Sequence, residues 1–523
     1  MKKKLISMLL VCAMAASTLA GCGGSSGTSS GTGSGGAAGS GTEKAADAGA
    51  QEGGKDTIKI AVYSDFAGFD PYNSGMDLDK VVYSNIFDCL LRYYDGNYEN
   101  VLCKDYSISE DGTEYTFNLK EGVKFHNGET LTAGDVVFSM MRAKESSEMS
   151  NFTKNIVKAE AVDDLTVKIV LDQPYVPFLT AVASTVCIMN EKAVNEAGEN
   201  IRQMPVGTGP YKFKQWDSGS QVVLERFDEY HDALPQIREA NYVVLTNPET
   251  ALTALQTGEI DMTYTIPPIA VQELKDSQDL VLDLNPTMGS GYIVMNLEAP
   301  FLSDPNFRMA LAYATNRDHI VEVGMDGVAK VSNLLWDERT AGYSGKYTTP
   351  EFNLDKAKEY LAKTDYNGEE IPFVVGYENY KKIGVVYQEE LKQIGVNISV
   401  EQLEANTWVS DMKSGNFAMS TIVQTMDPDV DFWSTVFMSS AIGGYNFSRL
   451  NDADVDKAFA DGSVCQDPEQ RKDIYSVIEK KLYEDTIIIP IYDRVVTCAY
   501  NKGVTVDRSY DSGFSTLRDM HWN

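Results

Sequence analysis

The chain has 523 residues and a formal net charge of -31. It is too long for one ordinary core and too acidic for a protein that neutralises nucleic-acid phosphates with clustered Lys and Arg. Its four histidines form no metalloprotease-type pair, no Gly-x-Ser-x-Gly elbow occurs, and no zinc or cofactor spacing is present, so nothing in the composition points to catalysis.

The N-terminus opens on Lys2, Lys3 and Lys4, followed by an apolar run from Leu5 to Ala16 that is too short to span a bilayer. The run leads to Leu19-Ala20-Gly21-Cys22. That tetrapeptide resembles a bacterial lipobox, which implies cleavage before Cys22 and attachment of lipid to it, enough to hold a protein on a membrane without a spanning helix. Residues 1–21 are thus expected to be a lipoprotein signal peptide, and 22–56 the lipidated cysteine with a Gly/Ser tether. The tether has too little apolar surface to offset the entropy of ordering it. Residues 57–523 form the body, with a monomer expected.

Within the body, Thr57 to Tyr63 places large apolar residues at every second position, the mark of a strand, and Tyr115–Leu119 and Leu165–Leu171 do the same. Thr132-Ala-Gly-Asp135 before an apolar run reads as a capped helix start. Pro248–Thr257 reads as a helix stopped by Gly258, followed by a strand at Ile260–Tyr264. Asp304-Pro305 opens another helix. Ile371–Tyr377, Lys381–Ile394, Gly395 and Val396–Val400 give strand, helix, stop and strand, a βαβ crossover that requires parallel strands. Ile487–Tyr492 is a late strand. The class is α/β with more than one lobe. Beyond Cys12 and Cys22 stand Cys89, Cys103, Cys187, Cys465 and Cys498. This odd set argues against a disulfide framework and leaves room for one bridge such as Cys89 to Cys103. Cys187, in an apolar run, reads as a buried thiol.

Several blocks in order carry a resemblance: Phe69-Asp70-Pro71, then Asp111-Gly112-Thr113 through Leu119, Gly122 to Gly128, and Leu131 to Ser139. Pro205-Val206-Gly207-Thr208-Gly209-Pro210-Tyr211, Pro300-Phe301 and Arg308-Met309-Ala310 follow. Together they resemble the extracellular solute-binding proteins of family 5, the substrate-capturing subunits of peptide and nickel ABC importers. Read structurally, Gly112 relieves a turn, the Gly207–Pro210 segment shapes a bend, and Arg308 makes a fold-stabilising ion pair. The resemblance implies a two-lobed periplasmic-binding-protein-like fold (class II type) that closes on its ligand about a hinge. Lobe I would comprise about 57–85, 204–290 and 490–523, an inserted subdomain about 86–203, and lobe II about 291–489. The partners it implies are a small-molecule or peptide ligand and membrane permease subunits.

In peptide-binding relatives an aspartate of the second lobe grips the peptide amine. Counting forward from Phe417 puts Asp427 there; counting back from Asp427-Pro428 puts Gln424 there and loses the charge pair. Asp429 and Asp431 are neighbouring alternatives. Trp408, Trp433 and Tyr445 are candidate walls, and Asn446 a candidate partner for a backbone-like group. No arginine matches a carboxylate-gripping position. The leading expectation is a lipid-anchored importer subunit for short peptides, working on the extracytoplasmic face and needing no cofactor. An oligosaccharide or other solute, a sensory lipoprotein and a surface hydrolase are the competing expectations.

Overall fold

The computed structural model describes residues 55–523 apart from 74–76, 95, 147–148, 426–427 and 511. The expected signal, Cys22 and tether lie outside the described residues. An eleven-stranded mixed sheet runs through the molecule, and a separate four-stranded antiparallel sheet carries the inserted segment. Among the described residues, no helix is long and apolar enough to cross a membrane.

Thr57–Val62 is the expected first strand and pairs in parallel with Glu239–Val244 and Met262–Thr263. The inserted sheet contains Glu114–Leu119 and Thr166–Leu171, each with every second side chain buried, as their alternating sequences require. Gly112 turns the chain into this sheet at φ +70°, a left-handed conformation that a side chain would strain. Helix Ala133–Glu145 begins with a capping box in which Asp135 Oδ2 accepts from the Thr132 amide at 3.0 Å.

The βαβ unit is also present. Glu370–Val375 and Asn397–Gln402 pair in parallel, joined through helix Glu378–Lys392. That helix lays Ile383, Val386, Tyr387 and Leu391 into a core shared with Phe373 and Ile398. Arg308 makes a different contact from the expected ion pair. Its guanidinium donates to the carbonyls of Leu302, Ser303, Asp485 and Thr486, neutral acceptors that satisfy a buried cation at a loop crossing.

Two long strands tie the sheet together. Leu280–Met295 pairs antiparallel with Ile488–Asn501, and the late strand expected at Ile487–Tyr492 is only the first half of the second. The pairing slips between Pro286 and Ser290 and again between Gly291, opposite Tyr492, and Tyr292, opposite Pro490. A Cβ on Gly291 would sit 2.2 Å from the Tyr492 ring, so only glycine fits the bulge. On one side of this break the strands border Met262–Thr263; on the other they border Met419–Thr425.

Candidate functional site

A cavity of about 400 Å³ opens beside that break. Its walls come from the helix Lys80–Ile86 and the following residues to Tyr93, from the inserted segment (Val101, Met149, Phe152, Thr185, Cys187), from Met288, Thr425 and Pro428, and from Tyr510–Arg518. Elements far apart in sequence meet there, as a ligand bridging two lobes requires. A shallower depression of about 570 Å³, over Glu129, Asp135, Glu191 and Lys192, is walled by the inserted segment alone and bridges nothing.

The signature blocks explain how the wall is held. Gly207 and Gly209 press against the backbone at Ile86, where added Cβ atoms would lie 2.1 and 2.5 Å from the carbonyls of Ile86 and Asn85. The Gly209 amide donates to Ile86 O at 2.8 Å. His126 Nδ1 accepts from the Gly207 amide at 3.4 Å, so Nε2 donates to Gly209 O at 2.9 Å. Burial pulls the His126 pKa down to about 4, and the ring stays neutral in this role. From the other side, Asn85 Oδ1 accepts the Leu517 amide at 2.8 Å, fixing the C-terminal segment against the same helix.

The charges in the cavity run opposite to those of the chain. Among the described lining residues, Lys80, Arg92 and Arg518 face a single carboxylate, Asp88. Asp88 is already engaged: Arg518 Nη2 reaches it at 3.2 Å, His231 Nε2 at 3.1 Å and Thr208 Oγ1 at 3.3 Å. The Arg518 Nε–H is buried without a partner among the described residues. Burial opposes the Arg92 cation, but Tyr510, Asp88, Tyr230 and Glu99 more than offset this and raise its pKa, so it stays charged. Its ion pair with Glu99 is long, 3.5 Å. Guanidinium groups in a concave, partly dry setting are well suited to carboxylates.

The residues singled out from sequence have other places. Trp408 is buried in helix Ala405–Ser414, where its indole N–H donates to Ser420 Oγ at 3.1 Å and its ring meets Tyr377 and Tyr380. Trp433 is 2% exposed and packs among Tyr292, Trp336 and Phe437. Asn446 spends its amide on the carbonyls of Met438 and Leu450 and stabilises its own loop. Tyr445 is exposed under the Lys413 ammonium. Gln424 is half-buried opposite Ser290; strand alternation turns it to the face away from Thr425, which does line the cavity. Asp427 lies outside the described residues, between Thr425 and Pro428 of the wall.

Asp429 and Asp431 are both buried. Arg471 grips Asp429 at 2.7 and 2.9 Å, while Tyr475 and Tyr175 donate to Asp431 at 3.3 and 3.2 Å. Tyr175 comes from the inserted segment, so this cluster joins it to the far part of the sheet. Burial, with the adjacent Asp429 charge, pushes the Asp431 pKa up to about 7.

The sequence reading missed Arg92, Arg518 and Asp88. The available signal was position: Asp88 and Arg92 follow the junction expected near residue 85, where the chain leaves one lobe for the insert, and junctions border clefts. The disulfide considered between Cys89 and Cys103 is not formed, since both are free thiols; the Cys89 backbone instead pairs with that of Cys187 in an isolated antiparallel β-bridge.

Comparison with known proteins agrees with this architecture. Residues 97–445 match the family described as bacterial extracellular solute-binding proteins, family 5. The glutathione-binding protein GsiB of Pectobacterium atrosepticum is 29% identical over 469 residues, 86% of this chain and 91% of that protein. The structure of HbpA2 from Haemophilus parasuis superposes with a TM-score of 0.82 at 25% identity, covering 89% of this chain and all of that one. DppA from Helicobacter pylori in complex with the peptide STSA shares the fold, with a TM-score of 0.70 at 23% identity over 90% of this chain and 98% of its own. The chain belongs to the bacterial extracellular solute-binding proteins of family 5, as a two-lobed, extracytoplasmic solute-binding component of an ABC importer.

Proposed function

We propose that this protein captures a short, carboxylate-bearing peptide in the cavity around Arg92 and Arg518 and delivers it to its permease while anchored through lipid on Cys22. One observation carries the reading: among the described lining residues, three cationic side chains stand against one engaged carboxylate, in a chain whose net charge is -31. Surface acidity is a matter of solubility, whereas a cationic cleft within it is specific to the ligand. A cavity of about 400 Å³ suits a peptide of a few residues. The tripeptide glutathione, named for the GsiB relatives, carries two carboxylates and is the leading candidate. Asp427, flanked by cavity residues Thr425 and Pro428, is proposed to hold the peptide's ammonium. A neutral oligosaccharide would bring no charge to the cationic excess among the described lining residues.

Titration calorimetry against reduced glutathione, trialanine and maltotriose tests this. The dicarboxylate should bind most tightly and lose affinity in Arg92→Ala; equal binding of trialanine or maltotriose would overturn the reading. N-acetylated peptide should bind the wild type and Asp427→Ala alike, since no ammonium remains to be held. Membrane anchoring predicts incorporation of labelled fatty acid that disappears in Cys22→Ser.

A further inference from the structure

Cys89 and Cys187 both line the cavity and stand directly opposite each other in an isolated antiparallel bridge. Beside them the Ile188 amide donates to Asp88 O at 2.8 Å. That bond flanks the cysteines, so they occupy the non-hydrogen-bonded position of the ladder. Opposed residues there have Cα atoms about 4.5 Å apart, within the span of about 4.4–6.8 Å that a disulfide accepts. The two thiols are close enough to interact, and together with burial this pushes the Cys187 thiol well above its ordinary pKa. The other described cysteines have different neighbours: Cys103 Sγ meets Asn100, Cys498 Sγ accepts from Asn285, and Cys465 Sγ meets the Asp467 carbonyl.

We propose that Cys89 and Cys187 form a redox-active pair in the cleft wall, converted from dithiol to disulfide by a low-molecular-weight disulfide that enters the cleft. Extracytoplasmic surroundings permit such a bond. Cys89 is half-buried and reachable from the cavity, while Cys187 is 6% exposed. Cys89 is therefore the attacking thiol and Cys187 the resolving one. The Cys89 thiolate attacks one sulfur of R–S–S–R, forming Cys89–S–S–R and expelling R–S⁻, which takes up the proton Cys89 gave up. The Cys187 thiolate then attacks the Cys89 sulfur, closing the protein disulfide and expelling the second R–S⁻, which takes the proton from Cys187. Two protein thiols are oxidised and one small disulfide is reduced to two thiols.

The bond fastens the residues after helix Lys80–Ile86 to those after helix Phe178–Ser184, two walls of one cavity. Lys80, Arg92 and Arg518 in the same cavity attract the carboxylates of an acidic disulfide. The pair's geometry does not depend on which peptide the importer carries.

The test exposes the reduced full chain to oxidised glutathione, cystine or hydroxyethyl disulfide, then blocks free thiols with a maleimide and maps peptides by mass spectrometry. A Cys89–Cys187 crosslink, lighter by two hydrogens, is expected, with two small thiols released per protein. Cys187→Ser should accumulate a mixed disulfide on Cys89, whereas Cys89→Ser should leave Cys187 unmodified until the protein is unfolded. Both cysteines remaining as thiols with all three probes, or either joined to Cys103, Cys465 or Cys498, would overturn the proposal. The wild-type crosslink map needs no substituted protein, so a folding defect in a variant cannot obscure the result. Trialanine and glutathione calorimetry on the reduced wild type reads peptide capture separately.

Discussion

The stretch from Trp408 to Phe447 and the stretch from Asp88 to Tyr93 both combine aromatic and charged residues, yet their described side chains are used differently. In the first, Trp408 and Trp433 are core, buried among other rings, and Asn446 is consumed by its own loop, while Thr425 and Pro428 reach the cavity. The second is cavity wall, with Asp88, Arg92 and Tyr93 lining the space between distant elements. Aromatic residues therefore do not separate core from cavity wall, since Tyr83, Phe87, Phe152 and Phe514 line the cavity while Trp408 and Trp433 fill the core. The unusual feature is charge held in a concave place, because burying a cation is costly unless something pairs with it.

The largest effect should come from the core side. Trp433→Ala removes a side chain that is 2% exposed and should cost about 3–5 kcal/mol of stability, read by urea unfolding. If it unfolds like the wild type but binds ligand weakly, the assignment of that stretch to the core is broken.

The carboxylate cluster sharpens the same boundary. Asp431 has a folded pKa raised to about 7 from the ordinary aspartate value of 3.8, so between those values the folded protein holds a proton that the unfolded chain has lost. This group's contribution makes stability fall as pH rises from about 4 to 7, by at most about 1.4 kcal/mol per pH unit, and then level off. Asp431→Asn cannot titrate and should lack that fall, so urea unfolding of both proteins across this range should diverge. Parallel curves would mean that Asp431 is already ionised in the folded protein.

On the cavity side, Arg92→Ala should weaken binding of the acidic peptide by about 1.5–3 kcal/mol, a loss of about tenfold to a hundredfold. Thermal unfolding without ligand should change little, since the Arg92 contact to Glu99 is long and part-exposed. A large stability loss with unchanged affinity would reverse the comparison. Smallest of all, Tyr445→Ala at an exposed ring should stay within about 0.5 kcal/mol in stability and leave calorimetric affinity unaltered.

Local pattern made much of the fold legible. Alternation in Glu114–Leu119 and Thr166–Leu171, the Thr132–Asp135 cap and the βαβ order around Glu378–Lys392 are short-range consequences of backbone hydrogen bonding and one-sided burial. The signature glycines were legible as bends, but the carbonyls of Asn85 and Ile86 that they accommodate lie over a hundred residues away.

The chain by itself determined its class, its acidity, the order of its elements and the family blocks, because those rest on periodicity and on neighbours close in sequence. Tertiary structure alone decided that Arg92 and Arg518 share one cavity, that Cys89 faces Cys187, and that Trp408 and Trp433 turn inward. Each of those facts depends on which distant segments the long strands and the glycine bends bring together. A side chain's cost or use follows from the surroundings it acquires there, which its own sequence neighbourhood does not contain.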